Sequence, residues 1–248
     1  MKDRYRFIII AATIALVASG LLYLLHYVIF QDVHHIFIYM LGDFAFIPLE
    51  VFLVVIVLER ILTYREKQAL LDKMNMVIGA FYSEVGNYLL EELLDSFDNR
   101  QEICHKLNIS EGWKVADFKQ ATVFAQTLEL EPDYKRIHFT ELKAFLMSKR
   151  NFMLTLLENP NLLEKDEFTD LLFATFHLTE ELEARGDLKK LPAEDLEHLA
   201  TDTRRMYSRL LIQWLAYTEH LKHRYPYLYS LVLRTHPFQE NPSPTINH

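Results

Sequence analysis

Asp43 and Glu50 stand seven residues apart, with Pro48 between them, inside an otherwise apolar stretch from Ile36 to Leu58. Ionised carboxylates at apolar depth in a bilayer cost several kcal/mol, so such acids are paired, protonated, or turned toward protein or water. Seven residues are two helical turns, which puts both acids on one side of a helix, about 10 and 20 Å from its outer end. Pro48 donates no backbone hydrogen bond and leaves the Phe44 carbonyl free, which predicts a kink between them. His26, four residues from the end of a preceding apolar run, is expected near the depth of Asp43. Ala11, Ala15 and Ser19, at four-residue steps, offer a strip of small side chains for close helix approach. Two chemistries fit. In one the polar groups tie helices together, Asp43 with His26 and Glu50 with Thr13, Ser19 or a neighbouring subunit. In the other, several copies stack Asp43 and Glu50 as two acidic rings that pass cations.

His34 and His35, with Asp32 beside them, form a small cluster suited to a divalent metal or to sensing external pH. The expected connecting loop, Gln31 to His35, is short for a complete coordination shell, and an interfacial loop is the plainer reading. Acid-x-x-His pairs of the kind that hold diiron centres in helical bundles occur at Glu102/His105 and Asp195/His198, and His177 lies one turn before Glu180 and Glu181. With 34 acids and 11 histidines in 248 residues, chance alone gives roughly 1.5 such pairs, against three when Asp32/His35 is included. Glu180, Glu181 and Glu183 therefore read better as a solvated face, and His177 equally as a hydrogen-bonded core residue. Six glycines supply no phosphate loop and no nucleophile elbow. Cys104 beside His105 does not make a nucleophile pair, because adjacent helical residues point in different directions. No cofactor and no catalytic residue are expected.

The elements that carry these groups begin with two spans. Phe7 to Phe30 is 24 positions without a formally charged side chain, and Ile36 to Leu58 follows. Each exceeds the roughly 20 residues a helix needs to cross the hydrocarbon core. Lys2, Arg4 and Arg6 precede the first span and Arg60, Arg65, Lys67 and Lys73 follow the second, whereas the connecting loop has neither Lys nor Arg. This asymmetry places both termini in the cytoplasm. Tyr5 and Tyr64 then fall near the inner interface, and Tyr27, Phe30, Phe37 and Tyr39 near the outer one. A cleaved signal peptide is a poorer fit, since the first apolar stretch is too long and a second follows at once. A two-span potassium channel is excluded, because five loop residues cannot form a re-entrant pore helix and no TVGYG filter is present.

Up to Leu58 there are three basic and four acidic residues, of 26 and 34 in the chain, so the remainder is net acidic. That argues against nucleic acid as a partner. The single cysteine excludes an intrachain disulfide. Beyond Leu58, Leu70, Leu71, Met74, Val77, Ile78, Phe81, Val85, Tyr88 and Leu89 recur at three- and four-residue steps, predicting a helix that reaches about Phe97. Further helices are predicted at about 113–129, 140–158, 166–185, 192–224 and from Pro226 to about Arg234. Ser110, Thr140 and Asp166 are candidate caps, and Pro192 suits a first turn. Residues 237–248, with three prolines, are expected to be disordered.

The segments His34-His35-Ile36-Phe37-Ile38-Tyr39, Asn75-Met76-Val77-Ile78-Gly79-Ala80-Phe81, Phe176-His177-Leu178-Thr179-Glu180-Glu181-Leu182-Glu183 and Tyr225-Pro226-Tyr227-Leu228 resemble a prokaryotic family of uncharacterised two-span membrane proteins. The resemblance covers nearly the whole chain and transfers no catalytic residue. It implies an inner-membrane hairpin followed by a helical cytoplasmic domain.

The expectation is thus an all-α protein: a transmembrane hairpin over residues 1–58, a cytoplasmic helical bundle over 59–236, and a tail. It reads as a membrane-anchored interaction or regulatory protein of the inner (cytoplasmic) membrane. Its partners would be the lipid bilayer, further copies of itself through the hairpin, and a cytoplasmic protein. The alternatives are a cation-conducting oligomer and a metal-binding helical-bundle enzyme.

Overall fold

In the computed structural model, which describes residues 2–163 and 165–245, the regular elements are helices. Among the described residues there is no β-strand, only an isolated bridge between Phe97 and Pro132. The chain divides into two units, Met1–Lys67 and Gln68–His248.

The first unit holds α1 (Lys2–Phe30) and the beginning of α2 (Val33–Phe81). Both are long and apolar enough to cross a membrane, and none of either apolar window is buried. The expected five-residue loop is shorter. Gln31 adopts a left-handed backbone (φ 49°) and returns its N–H to the Tyr27 carbonyl at 2.8 Å, the usual helix-ending geometry. Asp32 then caps the next helix by accepting the His35 N–H at 3.2 Å. The turn is therefore Gln31 and Asp32 alone, and His34 and His35 belong to α2. Pro48 lies inside that helix without ending it.

The second unit is a helical bundle. After Phe81 the helix loosens into one π-turn, Tyr82–Gly86, and resumes as α3 (Asn87–Leu94). It is followed by α4 (Arg100–Leu107), α5 (Val115–Thr127), α6 (Phe139–Leu157), α7 (Pro160–Leu163), α8 (Asp166–Ala184), α9 (Ala193–Arg224) and α10 (Pro226–Thr235). Helix α4 is too short and too polar to show a periodic apolar face in the sequence. Its two inward residues, Ile103 and Leu107, are nonetheless fully buried. The expected caps shift slightly: Lys114, His138, Lys165 and Pro192 occupy the N-cap positions of α5, α6, α8 and α9. At α5 the Asp117 carboxylate accepts the Lys114 N–H at 2.6 Å, satisfying a donor that the first helical turn leaves free.

Helix α9 is the axis of the bundle, packed against α8, α5, α10 and α3. Acids Glu194 and Asp195 in its first turn and Lys222, His223 and Arg224 in its last match the sign of the helix dipole at each end. It buries Met206, Tyr207, Leu210, Leu211, Trp214 and Leu215. Two buried tyrosines join it to the chain after α2. Tyr82 donates its hydroxyl to the Leu210 carbonyl at 2.9 Å, and Tyr207 donates to the Leu90 carbonyl at 3.0 Å. The Tyr82 ring stacks on Tyr217, with centroids 5.1 Å apart.

The π-turn depends on Gly86, because a Cβ there would sit 2.5 Å from Cδ1 of the buried Tyr82 ring. Gly86→Ala should cost about 1–3 kcal/mol by overpacking, read as a lowered thermal unfolding midpoint.

The C-terminal segment departs from expectation. Residues 237–245 do not run free: Phe238 is 1% exposed and meets Trp214 edge-on, centroids 4.9 Å apart. The Ser243 N–H returns to the Arg234 carbonyl at 2.7 Å. Three prolines suggested disorder, but one buried aromatic supplies an anchor; residues 246–248 lie outside the described residues. His236 is 3% exposed between these groups. Burial pushes its pKa down to about 4. The unfolded chain, with an ordinary histidine near 6.5, therefore takes up a proton that the folded chain refuses between those values. Stability from this group is complete above about pH 6.5 and falls by about 3 kcal/mol as the pH drops to 4. In denaturant titrations at several pH values, His236→Phe should flatten that part of the profile.

Candidate functional site

Helices α8 and α9 lie antiparallel, and each carries a histidine and a carboxylate four residues apart, which is one helical face. On α8 these are His177 and Glu181; on α9 they are His198 and Asp202. The pairs meet crosswise. His177 Nε2 lies 3.4 Å from Asp202 Oδ2, and His198 Nε2 lies 3.4 Å from the same oxygen and 3.6 Å from Glu181 Oε2. Ligand atoms of Glu181, His198 and Asp202 all fall within 4.8 Å of one another.

Two arginines flank the cluster and set its charge. Arg205 Nη1 donates to Asp202 Oδ1 at 2.7 Å. Arg185 grips Asp195 with two hydrogen bonds, at 2.9 and 2.6 Å, and reaches Glu181 Oε2 at 2.6 Å. Its guanidinium holds the carboxyls of Glu181 and Asp195 below the usual carboxylate range. Asp202 is 2% exposed, and its Oδ2, the oxygen that faces both histidines, has no hydrogen-bond partner. The histidines themselves are about half exposed, 46% for His177 and 54% for His198. The site is thus a buried carboxylate oxygen with two half-exposed imidazoles beside it.

Of the residues singled out from the sequence, His177, Glu181 and His198 come together here. Asp195 is committed to Arg185, and Glu180 is exposed and takes no part. Asp202, Arg185 and Arg205 were missed. Diiron-type spacing puts the acid three residues before the histidine, whereas the pattern realised is histidine followed by an acid at the fourth position. Glu102 and His105 are exposed on α4 and Cys104 is half-buried beside them. Burial raises the Cys104 pKa, which leaves less thiolate for nucleophilic chemistry.

In the first unit, Asp43 and Glu50 are exposed on α2, two turns apart. His26 lies next to His35, ring centroids 5.8 Å apart, and His35 in turn packs against Tyr39. Ala15 and Ser19 line a shallow concavity on α1 together with Ala18, Leu22, Tyr23 and His26. Thr13 spends its hydroxyl on the Ile9 carbonyl at 2.8 Å.

Fold and site together define an all-helical protein with two membrane-length apolar helices and a bundle that carries a two-histidine, two-carboxylate cluster. The chain belongs to the MJ1433 family. Residues 2–62 match the family described as "MJ1433, N-terminal helical domain", and residues 70–234 match "Uncharacterized protein MJ1433, C-terminal helical domain". The Uncharacterized protein MJ1433 of Methanocaldococcus jannaschii is 43% identical over 238 residues, covering 96% of this chain and 95% of the relative. No solved structure matches.

Proposed function

We propose that the protein is a two-span membrane protein of the cytoplasmic membrane whose helical bundle serves, on the cytoplasmic side, as an interaction or regulatory module of an oligomer. The observation that carries this reading is the bareness of the apolar helices. From Ile9 to Leu58 large apolar side chains stand exposed, Leu16 at 75%, Leu41 at 73% and Phe44 at 63%. Each such side chain left in water forgoes about 1.5–3 kcal/mol of burial. A core helix of a water-soluble protein would be covered on one face at least; here the cover must come from lipid or from other copies. The basic residues that flank the two helices and are missing from the turn support cytoplasmic termini.

The acids support oligomerisation. Asp43 and Glu50 are exposed on a single chain, at a depth where a carboxylate needs a polar partner, and a second copy can provide one. A cation path lined by rings of the same two residues is the competing reading.

Alkaline carbonate extraction tests the anchor: the protein stays with the membrane pellet, and its release into the supernatant would overturn the proposal. Asp43→Asn with Glu50→Gln separates the two oligomer readings. The anchor reading expects a changed subunit number by native mass measurement in detergent, and the channel reading expects lost ion flux in liposomes.

A further inference from the structure

We infer that Glu181, His198 and Asp202 form a binding site for a single divalent transition-metal ion of the zinc class, clamping α8 to α9. Four ligand atoms at ~2.1 Å from a tetrahedral ion lie ~3.4 Å apart. His198 Nε2 stands 3.4 Å from Asp202 Oδ2 and 3.6 Å from Glu181 Oε2, and the ligand atoms of all three residues lie within 4.8 Å of one another. Imidazole nitrogen and carboxylate oxygen in this mixture suit zinc, or iron or manganese of similar ligand preference, rather than calcium or magnesium, which favour oxygen alone.

The independent observation is Asp202. Its carboxylate is almost completely buried, and Arg205 satisfies one oxygen. The other oxygen has no partner although two imidazole nitrogens approach to 3.4 Å. A buried carboxylate oxygen without a partner costs free energy. A cation between Asp202, His198 and Glu181 would supply that partner. Glu181, His198 and Asp202 are mutually close enough to be three ligands of one ion; His177, 3.4 Å from Asp202 Oδ2, stands outside that set, and water completes the coordination.

Charge agrees. Arg185 is neutralised by its paired hydrogen bonds to Asp195, and Arg205 answers one carboxylate. With neutral imidazoles the cluster retains an excess negative charge, carried by Glu181 and Asp202. Arg185 Nη1 also donates to Glu181 Oε2 at 2.6 Å, which fixes that carboxylate on α8. A second group of potential ligands, Glu92, His138 and Glu141, lacks a buried carboxylate, since Glu92 is 27% and Glu141 70% exposed. It serves as the internal control.

The test uses untagged full-length protein in detergent micelles, stripped with chelator and titrated with zinc, and separately with cobalt(II). One zinc per chain and the intense visible bands of tetrahedral cobalt are expected. Asp202→Asn and His198→Ala should each weaken zinc binding by about 100-fold or more, and His138→Ala should leave it unchanged. His198 is half exposed, so its removal leaves the fold readable by circular dichroism even if Asp202→Asn disturbs it. Binding below half an equivalent, or equal affinity in His198→Ala and the parent, would overturn the site and leave these residues as an ion-pair network.

Discussion

A chain that begins at Gln68 is expected to leave the membrane fraction completely and to remain folded in aqueous buffer, with the near-ultraviolet circular dichroism of the parent. The reason is the distribution of burial. Every residue of the buried core, from Met74 to Phe238, lies in the second unit, while the apolar windows of the two long helices are wholly unburied. Removing the first 67 residues therefore deletes exposed apolar surface and none of the buried core residues. Retention of the shortened chain in a carbonate-washed pellet, or its precipitation on release from detergent, would show that the bundle depends on the hairpin.

Trp214→Ala should produce the largest stability loss of any single substitution in the bundle, about 3–5 kcal/mol. Trp214 is 1% exposed on the central helix, and its ring is the surface on which Phe238 and His236 are seated. Truncation opens a cavity and also releases the C-terminal segment, so the two losses reinforce each other. For a chain of this size 1 kcal/mol corresponds to about 2–4 °C in the unfolding midpoint, which makes a fall of about 10 °C or more the expected reading. Trp214→Phe, which keeps a ring against Phe238, should lose less than half as much. A midpoint within about 3 °C of the parent for Trp214→Ala would contradict the packing described for α9.

How far the sequence alone reaches can be judged from particular residues. The long helices were legible because their signal is local: apolar runs for α1 and α2, and three- and four-residue periodicity from Leu70 through Leu89. Pro226 marked the start of α10 because it fits only a first turn. Helix α4 was not legible, since two buried positions in eight residues make no pattern. The fate of Phe238 depended on a partner, Trp214, more than twenty residues away, which no local rule supplies.

The metal-like cluster was half legible. His177, Glu181 and His198 stood out by residue type, but a search for acids three residues before a histidine selected Asp195, which the fold gives to Arg185. The residue that makes the site, Asp202, is distinguished by burial alone, and burial is a property of the packed helix pair. In the first unit the polar residues were easily found, and Asp43 and Glu50 stand exposed on α2.

The most direct test of the central claim is accessibility from outside intact cells. With Cys104 replaced by serine, single cysteines are placed at Gln31, in the turn between the long helices, and at Lys189, beyond α8 and exposed to solvent. A membrane-impermeant maleimide should label the cysteine at 31 on intact cells and the cysteine at 189 only after the cells are opened. Labelling of the cysteine at 189 on intact cells, or protection of the cysteine at 31 until lysis, would contradict a hairpin with both termini in the cytoplasm.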